Sequence, residues 1–447
     1  SLLHEDAVRA AVAESFDAPD PEPIAEAVLD LVAIASPDAG ELPWLAELAL
    51  PGQDGEWYAA GEMLLPGSPL AAIVAADAPY GRPLDSWVQR WGERALIAAG
   101  VLRTLPIVRA EDVVLGETDL QLPDESDWYD AIEARLPATD VPPGLEQVVA
   151  VGDLDLVADW ARGLELLSAE PFRSIVSAPA VAVGPDGAHV PVPSYTSWWL
   201  ARNPVLSGRR PADLTLASAE LSGLYDETDA DPDLARLVGV RLALDDVLAD
   251  PDSATDLLHR LADPRRSVRP ELLPGLYRRL AAALADFEVD PPNGVRVGPD
   301  RVAGRDDVVV LDRPYAAPLI DGVPVGGDAA VADLLDVPLA SDLVRGGVTT
   351  TGAERAWAEV PGAALAARRC GAPLPGTPVV VHSELRVGGR IVPWWPEGGR
   401  DHVDGTAGSL GRALAWRLGR WERRAAAAEA FAHPEAEWPA LEDSLER

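Results

Sequence analysis

The segment DHVDGTAGSLG at residues 401–411 carries the side chains that come nearest to a catalytic set. Ser409 stands in Ala-Gly-Ser-Leu-Gly, close to the Gly-x-Ser-x-Gly pattern that presents a nucleophilic serine on a strand-to-helix turn. His402 could act as its base, and Asp401 and Asp404 are carboxylates close by in sequence. The hypothesis of a hydrolase requires that His402 approach Ser409 within hydrogen-bonding distance across a concave pocket.

The residues that precede Ser409 predict a turn, whereas a nucleophilic elbow needs a strand at that place. Thr406 or Ser409 is suited to cap a helix that begins near residue 407, because a hydroxyl there accepts a backbone N–H of the first turn. We therefore expect a capping role for this segment and keep the hydrolase as the alternative.

Metal and cofactor chemistry is not indicated by the spacing of the remaining residues. The six histidines are far apart and form no HxxxH or HExxH pattern, so the sequence predicts no metal site. All 37 basic residues are Arg, which excludes a Walker A lysine and a lysine Schiff base. The glycine pairs lack the spacing of a nucleotide-binding loop. We expect no cofactor in this chain.

A binding surface is indicated instead by SYTSWWLARNPVLSGRRP at residues 194–211. Adjacent residues of a helix point in different directions, so one of two neighbouring tryptophans can face the core while the other meets solvent, another module or a ligand. We favour a contact between modules over a ligand cleft. The residues expected on this interaction surface are Tyr195, Trp198, Trp199, Arg209, Arg210, Trp394 and Trp395.

Charge and composition limit the classes of partner. The net charge is −36, and the first 150 residues hold 28 acids against 7 Arg. Such a charge opposes binding to nucleic acids and anionic membranes, which depends on neutralising phosphates. No apolar run approaches the roughly 18 residues of a membrane span, and the acidic N-terminal residues do not resemble a signal peptide. We expect a cytoplasmic location and protein partners, with no nucleic acid and no membrane.

Hydrophobic periodicity predicts helices alternating with short hairpins, and therefore an α+β fold of several small modules in which helices pack on short antiparallel hairpins or sheets. Helices are predicted over 21–36, 231–250, 252–263, 269–287 and 406–432, and hairpins over 48–69, 174–193 and 378–399. In 83–115 the pattern predicts a helix that ends at Gly100 and is followed by a strand.

Two stretches rich in proline, 135–147 and 288–297, predict boundaries between modules. They divide the chain into an acidic module over 1–140 that could be winged-helix-like, a module with a hairpin and helices over 141–290, and a module rich in strands over 291–447 that a long helix closes.

Several phrases of the sequence resemble the C-terminal half of a family from high-GC bacteria. They are YTSWWLARNPVLSGRRPADLTL, GVLRTLPIVRAEDVVL, SVRPELLPGLYRRLA and DHVDGTAGSLGRALAWRLGRWERR. The family is described as sacsin-like, or as related to the ninety-kilodalton heat-shock chaperone, and its N-terminal part resembles a GHKL-type ATP-binding domain. Such a domain needs an Asn-bearing helix, and neither Asn203 nor Asn293 lies in that setting, so no ATP-site residue is carried over.

The resemblance implies that these residues form a non-catalytic interaction or client-contact region of an ATP-dependent, chaperone-like protein, with the ATPase outside them. An exposed apolar groove, with Trp198, Trp199, Trp394 and Trp395 in its lining, would be the structural mark of this function. The alternatives are a hydrolase that uses the 401–411 segment and a stand-alone scaffold protein.

Overall fold

The computed structural model describes residues 2–136, 142–184 and 187–434. The chain forms two compact units, Ser1–Asp246 and Val247–Arg447, which we call the N-terminal and the C-terminal unit. Both contain helices and small sheets, and most of the paired strands are antiparallel. The α+β class predicted from the sequence is confirmed.

The N-terminal unit contains the first eight helices, the beginning of the ninth, and the first eight strands. The helices are α1 Leu2–Ala13, α2 Glu22–Ala35, α3 Asp85–Ala98, α4 Glu125–Glu133, α5 Trp160–Leu167, α6 Phe172–Ser177, α7 Tyr195–Arg202, α8 Pro232–Leu237 and α9 Leu244–Leu248, the last of which spans the division between the units. The strands are β1 Ala49–Pro51, β2 Trp57–Ala59, β3 Ile107–Val114, β4 Gly144–Val151, β5 Ala180–Val183, β6 His189–Val192, β7 Leu214–Leu216 and β8 Asp226–Thr228.

Several predicted elements of this unit are confirmed. Helix α2 matches the helix predicted over 21–36, and β1 and β2 pair as the predicted antiparallel hairpin. Helix α3 ends just before Gly100, whose φ of +110° and whose close approach to Ala46 both require glycine: a Cβ there would lie 2.7 Å from the Ala46 Cα. Strands β5 and β6 form the next predicted hairpin, and the Pro185-Asp186 pair of its turn lies outside the described residues.

A four-stranded antiparallel sheet, in the order β3-β4-β5-β6, is the framework of the N-terminal unit. The boundary predicted between residues 140 and 141 lies outside the described residues, but β3 before it and β4 after it pair along nearly their whole length. In a winged-helix module β3 would pair with a neighbouring strand to form the wing. It pairs instead with β4, which begins thirty residues after β3 ends. The first two predicted modules therefore share one sheet.

The C-terminal unit contains the remaining elements. Its helices are α10 Pro251–Ala262, α11 Leu276–Ala283, α12 Ala329–Leu335, α13 Ala340–Leu343, α14 Ala363–Arg369, α15 Ala407–Arg417 and α16 Arg424–Ala432. Its strands are β9 Gly294–Gly298, β10 Arg301–Gly304, β11 Val308–Leu311, β12 Val323–Gly326, β13 Ala353–Ala356, β14 Pro378–Val381, β15 Arg386–Val387, β16 Arg390–Ile391, β17 Trp394–Glu397 and β18 Arg400–Val403.

The main sheet of this unit has the order β13-β14-β18-β17, and its central pair, β14 and β18, is parallel. The single hairpin predicted over 378–399 is therefore wrong. Strand β14 leaves that segment to pair with β13 and β18, while the residues that follow it make the small β15–β16 hairpin and then β17.

A buried arginine joins the two sides of the boundary predicted over 288–297. Arg296 of β9 is 1% exposed, and its guanidinium donates to the carbonyl oxygens of Leu261, Asp263 and Arg266 at 2.6–3.0 Å. These carbonyls lie at the C-terminal end of α10, where a cation also interacts favourably with the helix dipole. The chain on both sides of the predicted boundary therefore belongs to one unit.

Two predicted helices are each divided in the structure. The helix predicted over 231–250 becomes α8 and α9, because Gly239 between them has a φ of +86°. The helix predicted over 406–432 becomes α15 and α16, with Gly419 at a φ of +66° between them. The period of the apolar residues continues across both breaks, so periodicity alone does not show them.

No helix in the part of the chain that the structure describes is both long enough and apolar enough to cross a membrane.

The contact between α15 and α16 depends on Gly411. A Cβ at this position would lie 2.4 Å from the backbone nitrogen of Ala428 and 2.5 Å from its Cα. Because these are backbone atoms of a packed helix, they cannot move aside cheaply. We predict that Gly411→Ala lowers the free energy of unfolding by about 1–3 kcal/mol, the usual cost of overpacking.

Chemical denaturation of the full chain checks this prediction. Gly376→Ala is the matched control, since a Cβ at Gly376 meets nothing within 4 Å and its φ is not positive. Equal stabilities of the two variants would contradict the role of Gly411.

Candidate functional site

Helix α7, the centre of the 194–211 segment, buries most of its side chains, and only its last residue, Arg202, is exposed. Both tryptophans are buried, with exposed fractions of 8% for Trp198 and 4% for Trp199, and so are Tyr195, Thr196 and Leu200. The expectation that Tyr195, Trp198 and Trp199 form an exposed surface is therefore wrong. They lie in the core because elements pack against this helix from opposite directions.

Hydrogen bonds hold α7 in place. Ser194 caps the helix by accepting the Ser197 backbone N–H, and the Thr196 hydroxyl oxygen accepts the backbone N–H of Val151 in β4 at 2.9 Å. On the opposite side the Tyr195 hydroxyl donates to the Pro123 carbonyl at 2.6 Å. The sheet and the segment before α4 thus fix the helix between them.

An open cleft of about 1070 Å³ lies beside this buried helix, within the N-terminal unit. One wall is the loop of residues 204–208, which directly follows α7 and belongs to the same sequence segment. The other walls are residues 72–74, the beginning of α5 and Leu234 of α8. The lining is mainly apolar, and its members are Ala72, Ile73, Val74, Ala158, Asp159, Trp160, Ala161, Leu164, Glu165, Ser168, Pro204, Val205, Leu206, Ser207, Gly208 and Leu234.

Trp160 is the aromatic residue that contacts both the cleft and the core. Its ring stacks on that of Trp199 with 5.8 Å between the centroids and 30° between the planes. Trp199 in turn donates its indole N–H to a carboxylate oxygen of Asp124 at 3.2 Å. Trp160 is only half-buried, so one side packs on the core while the remainder faces the cleft. The 194–211 segment therefore provides both core and cleft wall, although its tryptophans are not the exposed part.

Two carboxylates give the apolar cleft an acidic edge. Asp159 caps α5 by accepting the Arg162 backbone N–H at 3.2 Å, and its other carboxylate oxygen lies 3.6 Å from the Arg162 side chain. Glu165 is exposed and has no ion pair among the described residues. In the part of the chain that the structure describes, no basic residue lies in the lining, but Arg162 pairs with Asp159 at its edge, so the carboxylate left unpaired at the cleft is that of Glu165.

The two arginines predicted for the interaction surface are exposed but lie outside this lining. Arg209 donates to the backbone carbonyl of Glu227 at 3.2 Å, and Arg210 precedes a short 3-10 turn at Pro211–Asp213. Their exposure agrees with the prediction, whereas the cleft does not include them.

Trp394 and Trp395 belong to a buried aromatic cluster in the C-terminal unit. They are 2% and 8% exposed, and both meet the ring of Tyr315 edge-on, with centroids 5.5 and 4.7 Å away. Trp416 and Trp421 complete the cluster around Trp394. The expected groove lined by Trp394 and Trp395 is therefore wrong, because these rings fill the core between β17 and α15.

The structure does not bring His402 to Ser409 as the hydrolase requires. Ser409 is fully buried, and its hydroxyl lies 2.6 Å from a carboxylate oxygen of Asp404 and 2.9 Å from the Thr406 carbonyl. Thr406 is the N-cap of α15 and accepts the Ser409 backbone N–H, as the capping interpretation predicts. The nearest polar partner of His402 is instead His382.

Neighbouring residues of β18 point to opposite faces of the sheet. Asp401 faces inward, where it is 1% exposed and receives the Arg417 guanidinium at 2.7 Å and the Trp357 indole N–H at 3.3 Å. Burial raises the pKa of Asp401, and the hydrogen bonds from Arg417 and Trp357 oppose this rise. Asp401 therefore belongs to a structural ion pair.

His402 faces the other way and meets His382, which directly follows β14. The His382 Nε2 lies 3.0 Å from the His402 Nδ1, and the hydroxyl of Thr350 lies 3.2 Å from the His382 Nδ1. Burial lowers the pKa of both imidazoles, so the pair favours the neutral form. Nothing in the spacing of 20 residues between these histidines signals that they meet.

Trp160 is a cleft residue that no pattern considered in the sequence singled out. The sequence feature that could have indicated it is the Asp-Trp pair at the start of α5. The aspartate caps the helix, and the tryptophan that follows lies in the first turn, at the N-terminal end of the helix. That signal is weak, because the same pair occurs wherever an aromatic residue simply packs on a core.

The stack and hydrogen bond of Trp199 lead to a stability prediction. Trp199→Phe removes the donor to Asp124 and part of the surface that packs on Trp160, so we expect the free energy of unfolding to fall by about 1–3 kcal/mol. Trp44→Phe is the matched control, because Trp44 is half-buried and its indole N–H makes no hydrogen bond in the described part of the chain. Urea denaturation measures both, and equal losses would contradict the prediction.

Comparisons with known proteins give no relatives for this chain. No protein-family model matches the sequence, no curated protein matches it, and no solved structure matches its fold.

Proposed function

We propose that this chain is a protein-interaction region and that the cleft beside α7 is where it receives a partner segment. The observation that carries the proposal is the open, mainly apolar cleft with Trp160 in its wall. Ligand sites are concave, mostly apolar and bear a few polar groups, and this cleft has that character. Its volume of about 1070 Å³ is large enough for several side chains of a polypeptide.

Charge supports a protein partner over a nucleic acid. Among the residues that the structure describes, no basic residue lines the cleft, Glu165 carries an unpaired carboxylate there, and the carboxylate of Asp159 is paired with Arg162 at its edge. The first 150 residues carry 28 acids against 7 Arg. This field repels phosphates and attracts segments in which basic residues accompany apolar ones. We accordingly propose protein partners, no nucleic acid and no membrane, and a cytoplasmic location.

The resemblance to the sacsin-like family supports a more specific version of the proposal. In that version the chain is the client-contact region of an ATP-dependent, chaperone-like protein, and another part of that protein hydrolyses ATP. The support comes from the sequence phrases of the family, one of which contains α7 and the 204–208 wall of the cleft. A chaperone-like role needs apolar surface that can receive exposed side chains of other proteins, and the cleft offers it.

Site-specific photocrosslinking tests the proposal. Ala161 is exposed at the cleft, so p-benzoylphenylalanine placed there reports what enters it, while the same probe at Ala134, exposed at the end of α4 and outside the lining, reports background. We expect irradiation of the full chain in lysate of the source organism to give protein adducts at position 161 that position 134 does not give.

A charge variant shows whether those adducts depend on the cleft. Ala72→Arg adds a cation at an exposed lining position without removing any core side chain, and it should reduce the crosslinks from position 161 at least fivefold. Equal adducts from positions 161 and 134, or adducts unaffected by Ala72→Arg, would overturn the proposal.

A further inference from the structure

The C-terminal unit brings together His382 and His402 on rigid backbone. His402 lies within β18, paired with Val380 of β14 on one side and Trp395 of β17 on the other. The His382 backbone N–H donates to the Val403 carbonyl at 2.9 Å, which extends the pairing of β14 and β18 by one residue. The positions of both imidazoles are therefore fixed by sheet hydrogen bonds rather than by a loop.

The facing nitrogens are joined by a hydrogen bond in the metal-free protein, and their separation is also compatible with two ligands of one ion. The His382 Nε2 and the His402 Nδ1 are 3.0 Å apart. With metal–imidazole bonds of about 2.0–2.1 Å, this separation corresponds to an angle of about 90–97° at a shared ion. That is the angle between adjacent ligands of a tetragonal or octahedral ion, whereas two ligands of a tetrahedral ion at the same bond length would stand about 3.4 Å apart.

The surroundings of His382 suit the tautomer that a metal ligand needs. Thr350 accepts the Arg386 backbone N–H through its hydroxyl oxygen, which has a second lone pair for a proton on the His382 Nδ1, 3.2 Å away. A proton held there leaves the lone pair of Nε2 directed at His402. Ligating histidines commonly use their other ring nitrogen in this way.

His402 can supply the second lone pair without loss of a proton from the protein. In the metal-free pair one N–H lies between the two rings. An ion bonded to both nitrogens lies about 1.4 Å off the line that joins them, so each imidazole turns by about 40–45° from the line of the hydrogen bond to aim its lone pair at the ion. The proton is then carried by the outer ring nitrogen of His402, whose half-exposed position lets its Nε2–H meet water. The same exposure admits water to the remaining coordination positions.

We propose that His382 and His402 form a two-histidine site for a divalent late transition-metal ion of tetragonal preference, Cu²⁺ or Ni²⁺, with Thr350 as the positioning residue. Water fills the other positions, because no group of three or more His, Cys, Asp or Glu side chains suited to a metal occurs within residues 2–136, 142–184 and 187–434.

Isothermal titration of the untagged full chain with CuCl₂, NiCl₂ and ZnCl₂ tests the site. We expect one site per chain, with Ni²⁺ bound at least as tightly as Zn²⁺. His402→Ala should weaken Ni²⁺ binding at least tenfold, and Thr350→Val by about tenfold, the usual loss on removing the partner of a ligating histidine. The electron paramagnetic resonance spectrum of the Cu²⁺ form should show hyperfine coupling to two imidazole nitrogens. The spectrum of His402→Ala should show coupling to one.

His189→Ala is the matched control, because this exposed histidine also has a partner, with its Nδ1 3.3 Å from a carboxylate oxygen of Glu146, and it belongs to the other unit. It should leave the titration unchanged. His402 is the residue chosen for replacement because it is half-exposed, whereas His382 is 3% exposed and its loss disturbs the core. Absence of binding, or binding that survives His402→Ala, would overturn the proposal and leave a histidine–histidine hydrogen bond.

Discussion

The burial of α7, completed by the stack of Trp160 on Trp199, is the constraint around which the main core of the N-terminal unit is built. Two adjacent tryptophans on one helix point about 100° apart, so burying both requires a wide apolar face or more than one packing element. The sheet covers one side, the segment before α4 covers another, and the beginning of α5 covers the ring of Trp199 with a second indole. That indole also lines the cleft, together with buried core residues such as Leu164 and Val205.

In the C-terminal unit the corresponding constraint is the parallel pairing of β14 and β18. A parallel pair needs a long connection, and here the β15–β16 hairpin and β17 provide it. The pairing sends Asp401 inward to Arg417 and His402 outward to His382. Neighbours in sequence thus enter unrelated environments, and this separation is what prevents the 401–411 segment from assembling a serine, a histidine and an aspartate in one place.

Local signals in the sequence predict much of the fold. The position of α2 follows from its apolar periodicity, with proline at its start and polar residues at its end. The end of α3 follows from the glycine at residue 100. The capping role of Thr406 follows from a hydroxyl placed before a helical pattern. These features depend on residues within a few positions of one another, so their physics is visible without a structure.

The parts that escape prediction depend on distant contacts. The break between α15 and α16 leaves the apolar period unchanged, and the need for glycine at residue 411 appears only when Ala428 is placed against it. Nothing in the sequence around Arg296 indicates that this arginine is buried. Its burial depends on the carbonyl groups at the end of α10, which accept hydrogen bonds from its guanidinium. For the candidate cleft, the sequence singles out the right segment but the wrong side chains, because it cannot show that both faces of α7 are covered.

The shared wall of core and cleft also has a thermodynamic consequence. Because Trp160 contacts both, any molecule that orders its ring in the cleft also restrains the packing of Trp199, and by linkage the folded unit gains stability as the cleft fills. The relation is reciprocal: a substitution in the core that loosens Trp199 changes the affinity of a site it never touches. Core and cleft in this unit therefore do not vary independently, because Trp160 and the buried side chains of Leu164, Val205 and Leu206 belong to both.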